Sequence, residues 1–228
     1  MAAAAVSTPS RTERLLVGAL VKTAFLRDRR RPPAPAPAWA RELTFEGNTG
    51  ARLAGRWFPA ERPQGTVVLA HPDKRAAKAW FEKEGHIAFL HEHGYDVLTF
   101  DFPGYGASRG PATYYHEDVL AAVELAKAWS GMLPVHVWGV SMGAFAAANA
   151  SPRLDGVTSL VLESPYPSFN AWYGERKEAR VMAAFDRLFP ASSRAIQADQ
   201  NVAHAAARRV LVGIATRDEV TPPAMSEA

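Results

Sequence analysis

Cysteine is absent from all 228 residues. That excludes disulfides, thiolate metal sites, cysteine nucleophiles and iron–sulfur clusters, and it says nothing about compartment. A bilayer-spanning run of about 20 apolar residues is also missing from the head of the chain. The stretch from Leu15 to Leu26 is short and carries Lys22 inside it. Strong charge of one sign is lacking too. The formal net charge is +3, and residues 1–31 hold seven Lys/Arg against Glu13 and Asp28, which is +5 and leaves −2 for the remainder. The body is therefore not basic, no basic face interleaved with aromatics is visible, and nucleic acid is not an expected partner. His91 and His93 diverge at i, i+2 on a helix, so they make a poor metal pair, and neither a metal nor another cofactor is expected.

What is present begins with two unlike parts. The apolar run 15–26 is flanked by Arg11, Arg14 and Arg27-Asp28-Arg29-Arg30-Arg31. It reads either as an amphipathic helix docking on its own domain or as an interfacial helix giving residues 11–31 a peripheral membrane contact. A signal peptide fits less well, because of Lys22 and the downstream Arg block. Pro32 to Ala38 then reads as a stiff polyproline linker, so residues 1–38 form a head and linker, and the body spans 39–228. A cytoplasmic location is the expectation, with peripheral membrane or export as alternatives; no oligomeric state follows from the sequence. With 48% hydrophobic and 10% aromatic residues, the body can bury one full core.

The chemistry concentrates at Val135-His136-Val137-Trp138-Gly139-Val140-Ser141-Met142-Gly143, followed by Ala144 to Ala150. A strand turning through G-x-S-x-G into a helix is a nucleophile elbow. The serine stands clear at a sharp turn, backbone NH groups at the helix start meet an oxyanion, and the two glycines allow strand and helix to close up. A glycine-rich loop with a structural serine is the alternative for the pentapeptide alone.

Around it, strand and helix signals alternate, predicting a mainly parallel sheet covered on both faces. An opening hairpin is expected at 43–46 and 52–58, and buried strands at 66–70, 97–100, 135–140, 157–162 and 209–214. Helices are expected at 79–93 and 114–129. Residues 164–207 interrupt the alternation with Tyr166, Phe169, Trp172 and Tyr173, then Val181, Met182, Phe185, Leu188 and Phe189 at helical spacing. That insertion reads as a packing face or as a small helical cap whose aromatics line an acyl pocket.

Further segments occur in a telling order: Leu69-Ala70-His71-Pro72, then Phe100-Asp101-Phe102-Pro103-Gly104-Tyr105-Gly106-Ala107-Ser108, the elbow, Leu162 to Tyr166, and Gly213 to Pro222 with Asp218. With these, residues 41–225 resemble the α/β-hydrolase fold family, in its serine aminopeptidase-like and esterase or lipase-like branch. The resemblance implies a serine hydrolase acting on a small-molecule or acyl ester, thioester or amide through an acyl-enzyme. It implies Ser141 as nucleophile, Asp218 as the acid of the triad, the Met142 NH as one oxyanion donor, and a substrate pocket near His71, Tyr166, Phe169 and Trp172. Pro72, which has no NH, replaces the family's glycine, so the second donor falls to Asp73, with its carboxylate turned away. Asp218 could alternatively cap a turn before Pro222.

The family's triad histidine lies on a loop after the acid. Ten residues follow Asp218 and none is histidine. The expectation is a chain shortened by the last strand and helix, most simply a fragment. A non-catalytic binding or scaffold relative and a partner-supplied base are the alternatives. His204, just before the last strand, is the one candidate substitute base.

Overall fold

The computed structural model describes residues 10, 12–13, 16–17, 35–112, 114–173 and 179–226. Seven strands form one sheet: β1 (Arg41–Glu46), β2 (Arg52–Phe58), β3 (Gly65–Ala70), β4 (Tyr95–Phe100), β5 (Val135–Val140), β6 (Val157–Glu163) and β7 (Val210–Gly213). They lie in the order β1-β2-β4-β3-β5-β6-β7. β2 runs antiparallel to β1 and β4, and β3 through β7 are parallel. The arrangement is an α/β-hydrolase fold, and the expected mainly parallel sheet is present.

β3 is buried along its whole length, as a central parallel strand covered on both faces must be. The helices α1 (Ala79–Lys83), α2 (His86–Glu92), α3 (Tyr115–Ser130) and α4 (Met142–Ala150) supply that cover. One helix was expected over 79–93. It divides because Gly85 takes a left-handed φ of 83°, which an α-helix cannot accommodate. The insertion 164–207 folds into four short helices, α5 (Phe169–Tyr173), α6 (Ala179–Leu188), α7 (Pro190–Ala195) and α8 (Ala198–Val202), and α9 (Pro223–Ser226) follows β7. Met182 and Phe185 are buried and Leu188 is exposed; the side chains of Tyr173 and Val181 lie outside the described residues.

β7 leaves Leu211 62% exposed, against 1% for Leu162 on the neighbouring strand. The apolar run at 210–213 therefore sits at an edge of the sheet rather than inside it. At the other end, Trp39 packs edge-on against Phe58 and beside His91. Of the head segment, Val17 is buried in the main core. Glu13 Oε1 accepts the Ser192 NH at 3.0 Å and hydroxyl at 2.7 Å, capping α7. These residues dock on the body. The Arg flanks and most of the apolar run lie outside the described residues. Among the described residues no helix is long and apolar enough to cross a membrane.

Asp118, in the first turn of α3, is 1% exposed, and its Oδ1 has no hydrogen-bond partner. Burial, with Glu117 nearby, drives its carboxyl well above the ordinary range. A raised carboxyl binds its proton more tightly in the folded state, so its contribution falls as pH rises above about 4. Asp118→Asn should therefore stabilise the protein by about 1 kcal/mol at pH 7, raising Tm by about 2–4 °C. Thermal melts at pH 7 and pH 4 check this, with the gain shrinking at the lower pH.

Candidate active site at the carboxyl edge of the sheet

β5 ends at Val140, and Ser141 turns the chain with φ 52° and ψ −112°. A non-glycine residue held there costs on the order of 1–3 kcal/mol and persists only when its surroundings enforce it. The enforcing contacts are visible. The Ser141 NH donates to the Glu163 carbonyl at 2.8 Å, and its own carbonyl accepts the Phe145 NH at 2.9 Å. A Cβ on Gly143 would lie 1.9 Å from the Ala70 carbonyl oxygen, and one on Gly139 would lie 2.4 Å from that of Gly143. Both positions admit glycine alone. The start of α4 therefore lies against the ends of β3 and β5, with Met142 as its first residue.

The neighbouring strand ends extend the site. Ser164, also at positive φ (49°), donates its NH to the Gly213 carbonyl at 2.8 Å. Its hydroxyl helps hold the Asp218 carboxyl below its ordinary value. Asp218 Oδ1 further accepts the NH groups of Val220 at 2.9 Å and Thr221 at 2.8 Å. Partial burial pushes this carboxyl up, but the bonds from Thr221, Ser164 and Val220 prevail and hold it below its ordinary value. It stays ionised throughout the neutral range. Ser141 and Asp218 thus follow β5 and β7 on the same edge of the sheet, with β6 between them. At about 4.8 Å per strand spacing, the two strand ends stand about 10 Å apart. The turn-capping alternative for Asp218 is also realised, because its own loop holds the carboxylate.

On the other flank, the β3 loop carries His71, Pro72 and Asp73. His71 is wholly buried. Its Nε2 accepts the Phe102 NH at 3.0 Å, so the ring proton resides on Nδ1, which donates to the Pro72 carbonyl at 2.7 Å. Burial pushes this imidazole below its ordinary value, outweighing Pro72, Asp101 and Asp73, and it is neutral at pH 7. His71 is therefore a pin between two loops. The sequence offered it as a pocket residue or, at the end of β3, as a structural one; a ring without exposed surface touches no substrate, so the pocket assignment is corrected and the structural reading stands.

The same loops meet at two further residues. Asp101 accepts the Lys78 NH (3.0 Å) and the Ala107 NH (3.0 Å), and pairs with Lys78 Nζ at 2.6 Å. Ser108 Oγ accepts the Ala54 NH and donates to the Asp101 carbonyl. Asp73, exposed on its loop, receives the Tyr105 hydroxyl at Oδ1, 2.5 Å away. Tyr105 and Ser164 were not singled out from sequence beyond lying in the segments 100–108 and 162–166, and Lys78 carried no signal there.

The expected pocket aromatics do come together. Tyr166 stacks between Phe145 (4.4 Å) and Trp172 (5.0 Å), and Phe169 leans on Phe145 at 4.8 Å. Phe145 lies one helical turn beyond Ser141, so this cluster adjoins the elbow. Tyr166 itself is buried, and Phe169 and Trp172 are partly exposed.

None of the seven histidines hydrogen bonds Asp218. His86 is stacked among Trp80, Phe81 and Trp138. His91 and His93 bond the carbonyls of Pro59 and Phe89. His116 lies beside Glu117, and His136 bonds Ser159. His204 precedes a segment whose NH groups at Ala206 and Arg208 bond Ser151 and Val157. Val157 opens β6, so His204 lies toward the amino edge of the sheet, away from Ser141. Among the described residues no cluster of His, Asp and Glu could hold a metal ion.

Residues 67–226 match the alpha/beta hydrolase family. The chain belongs to that family. Human protein ABHD12B is 31% identical over 123 residues, which is 51% of this chain and 33% of that protein. The bovine lysophosphatidylserine lipase ABHD12 is 34% identical over 151 residues, 57% of this chain and 35% of the relative. The chain thus matches only about a third of the length of these relatives. An esterase from Pyrococcus furiosus superposes with a TM-score of 0.63 at 22% identity, covering 86% of this chain and 80% of that one. Acetyl xylan esterase 1 from Thermoanaerobacterium gives 0.62 at 16%, covering 94% and 80%. At such identities the likeness is one of fold.

Two outcomes test this geometry. Gly143→Ala should cost about 3 kcal/mol or more, because the neighbour is backbone and cannot swing aside; Tm should fall by about 6 °C or more. A depressed imidazole makes the unfolded state bind more protons below about pH 6.5, so its stability contribution is lost as pH falls. The decline in urea midpoint from pH 7 to pH 5 should therefore be smaller in His71→Gln than in the parent.

Proposed function

We propose that this chain is the catalytic part of a serine hydrolase of esterase or lipase type. Ser141 Oγ attacks the acyl carbon while an imidazole from outside residues 1–228 takes its proton. The carbonyl oxygen becomes an oxyanion received by the NH groups of Met142 and Asp73. Collapse expels the alkoxide, which takes the proton back, and leaves an acyl ester on Ser141; water then releases the acid by the same steps. Asp218 holds the imidazole in the right tautomer and stabilises its charged form. The observation that carries this reading is the enforced positive φ of Ser141 at the mouth of α4. Ala77 and Ser164 also hold positive φ, but among the described residues Ser141 alone combines it with a strand-to-helix turn walled by two glycines. An ionised Asp218 two strand ends away supports it further.

The substrate reading is an acyl ester with an apolar chain. Phe169 and Trp172 beside the elbow support it, as do relatives named for lipase and esterase activity.

A second reading, a binding protein with a hydrolase fold, draws on one observation: Asp218 is satisfied by its own loop and Ser164, with no histidine bonded to it. Imidazole rescue separates the two. Added imidazole should speed fluorophosphonate labelling of the 228-residue chain at least about tenfold over Ser141→Ala, since a missing general base contributes about 10²–10⁴. Folded protein labelled no faster than Ser141→Ala, with imidazole present, would favour the binding reading.

A further inference from the structure

Tyr105 is buried to 1%, yet its hydroxyl touches both halves of the proposed oxyanion site. It donates to Asp73 Oδ1 at 2.5 Å and lies 3.4 Å from Met142 Sδ. Asp73 and Met142 are the two residues whose NH groups would receive the oxyanion. They stand on loops after different strands, and the Asp73 loop is exposed from Asp73 to Ala76. Lys78 anchors the far end of that loop to Asp101, the Tyr105 hydroxyl holds it at Asp73, and Pro72 leaves it no alternative NH donor at the preceding position.

The Tyr105 hydroxyl is itself held rigidly. The ring packs edge-on against His71 at 4.9 Å. Its loop is clamped by Asp101, which binds the Ala107 NH and Lys78, and by the Phe102 NH bonded to His71. A preorganised donor pair is what oxyanion stabilisation needs, because reorganisation at the moment of reaction would cancel the gain. The carboxylate adds a second requirement. An anion free to turn toward a developing oxyanion would oppose it, and a hydrogen bond to a buried phenol keeps this one turned aside.

We infer that Tyr105 is a positioning residue: its hydroxyl tethers the Asp73 loop to the Met142 side of the elbow, fixing the second oxyanion donor in register with the first and its carboxylate away from the reacting oxygen. The inference rests on the serine hydrolase reading above. It concerns a residue that reaches no substrate atom and acts through Asp73.

The test is a double-mutant cycle read as the second-order rate of fluorophosphonate labelling with imidazole present, in the parent, Tyr105→Phe, Asp73→Ala, Asp73→Asn and the Tyr105→Phe/Asp73→Ala double variant. Tyr105→Phe and Asp73→Ala should each slow labelling at least about tenfold. Asp73→Asn, which still accepts the hydroxyl, should be labelled at least about threefold faster than Asp73→Ala. The double variant should be no more than about threefold slower than either single, because both break one contact. A purely structural role for the ring predicts instead that the two losses multiply, and that Asp73→Ala equals Asp73→Asn. Either result overturns the inference. Should Tyr105→Phe fail to fold, the comparison of Asp73→Ala with Asp73→Asn on the exposed loop decides alone. A parent no faster than Ser141→Ala sinks the hydrolase reading and this inference together; a parent labelled well with Tyr105→Phe unchanged sinks the inference alone.

Discussion

The close approach of α4 to the ends of β3 and β5 is the constraint on which the site depends. Two glycines face each other and the Ala70 carbonyl at separations no Cβ could tolerate. Because the helix starts so near the sheet, the connecting residue has no room to relax, and Ser141 is held at positive φ. The strain is local, and its support is distributed over three strands. The Ser141 NH is satisfied by β6, the Ser164 NH by β7, and the first turn of α4 by the Ser141 carbonyl. Loosening any of these contacts would cost the geometry before it cost the fold.

Electrostatics at this edge follow from the same packing. His71 is neutral because it is buried, and its two ring nitrogens are both used, one as acceptor and one as donor. Asp218 is ionised because three donors offset its partial burial. A neutral buried ring on one side and an ionised carboxylate on the other thus flank the Ser141 turn. The buried Lys78–Asp101 pair contributes little that can be counted as stability, since desolvation offsets attraction in such pairs. Its consequence is geometric, because it locks the loop after β4 to the one after β3.

The insertion and the head segment converge on this edge from outside the sheet. Tyr114 donates to the Ser192 hydroxyl, which in turn donates to Glu13, and Ser193 bonds Asp186 across the insertion. The four short helices are thereby tied to α3 and to the head of the chain rather than standing alone. Membership of the alpha/beta hydrolase family accounts for the order of strands. The relatives' greater length leaves room for elements that this chain does not share.

Residues near one another in sequence carried the strand-to-helix turn at Ser141, the alternation of strands with helices and the placement of Asp218 after a strand, because periodicity and turn chemistry are local properties. Gly139 and Gly143 were legible as a pair for the same reason. The collision partner of Gly143, Ala70, was not, since it lies about 70 residues earlier and meets it only through the parallel pairing of β3 with β5. The break at Gly85 escaped helical periodicity, which is blind to a single left-handed residue. Burial of His71, the bond from the Ser164 NH to Gly213 and the reach of Tyr105 to Asp73 all join segments separated in the chain. Hydrogen-bond partners of that kind are chosen by the meeting of strand ends, so only the tertiary structure decided them. The sequence by itself determined which hydroxyl could be raised on a turn and which carboxylate shared its edge; packing decided what holds them there.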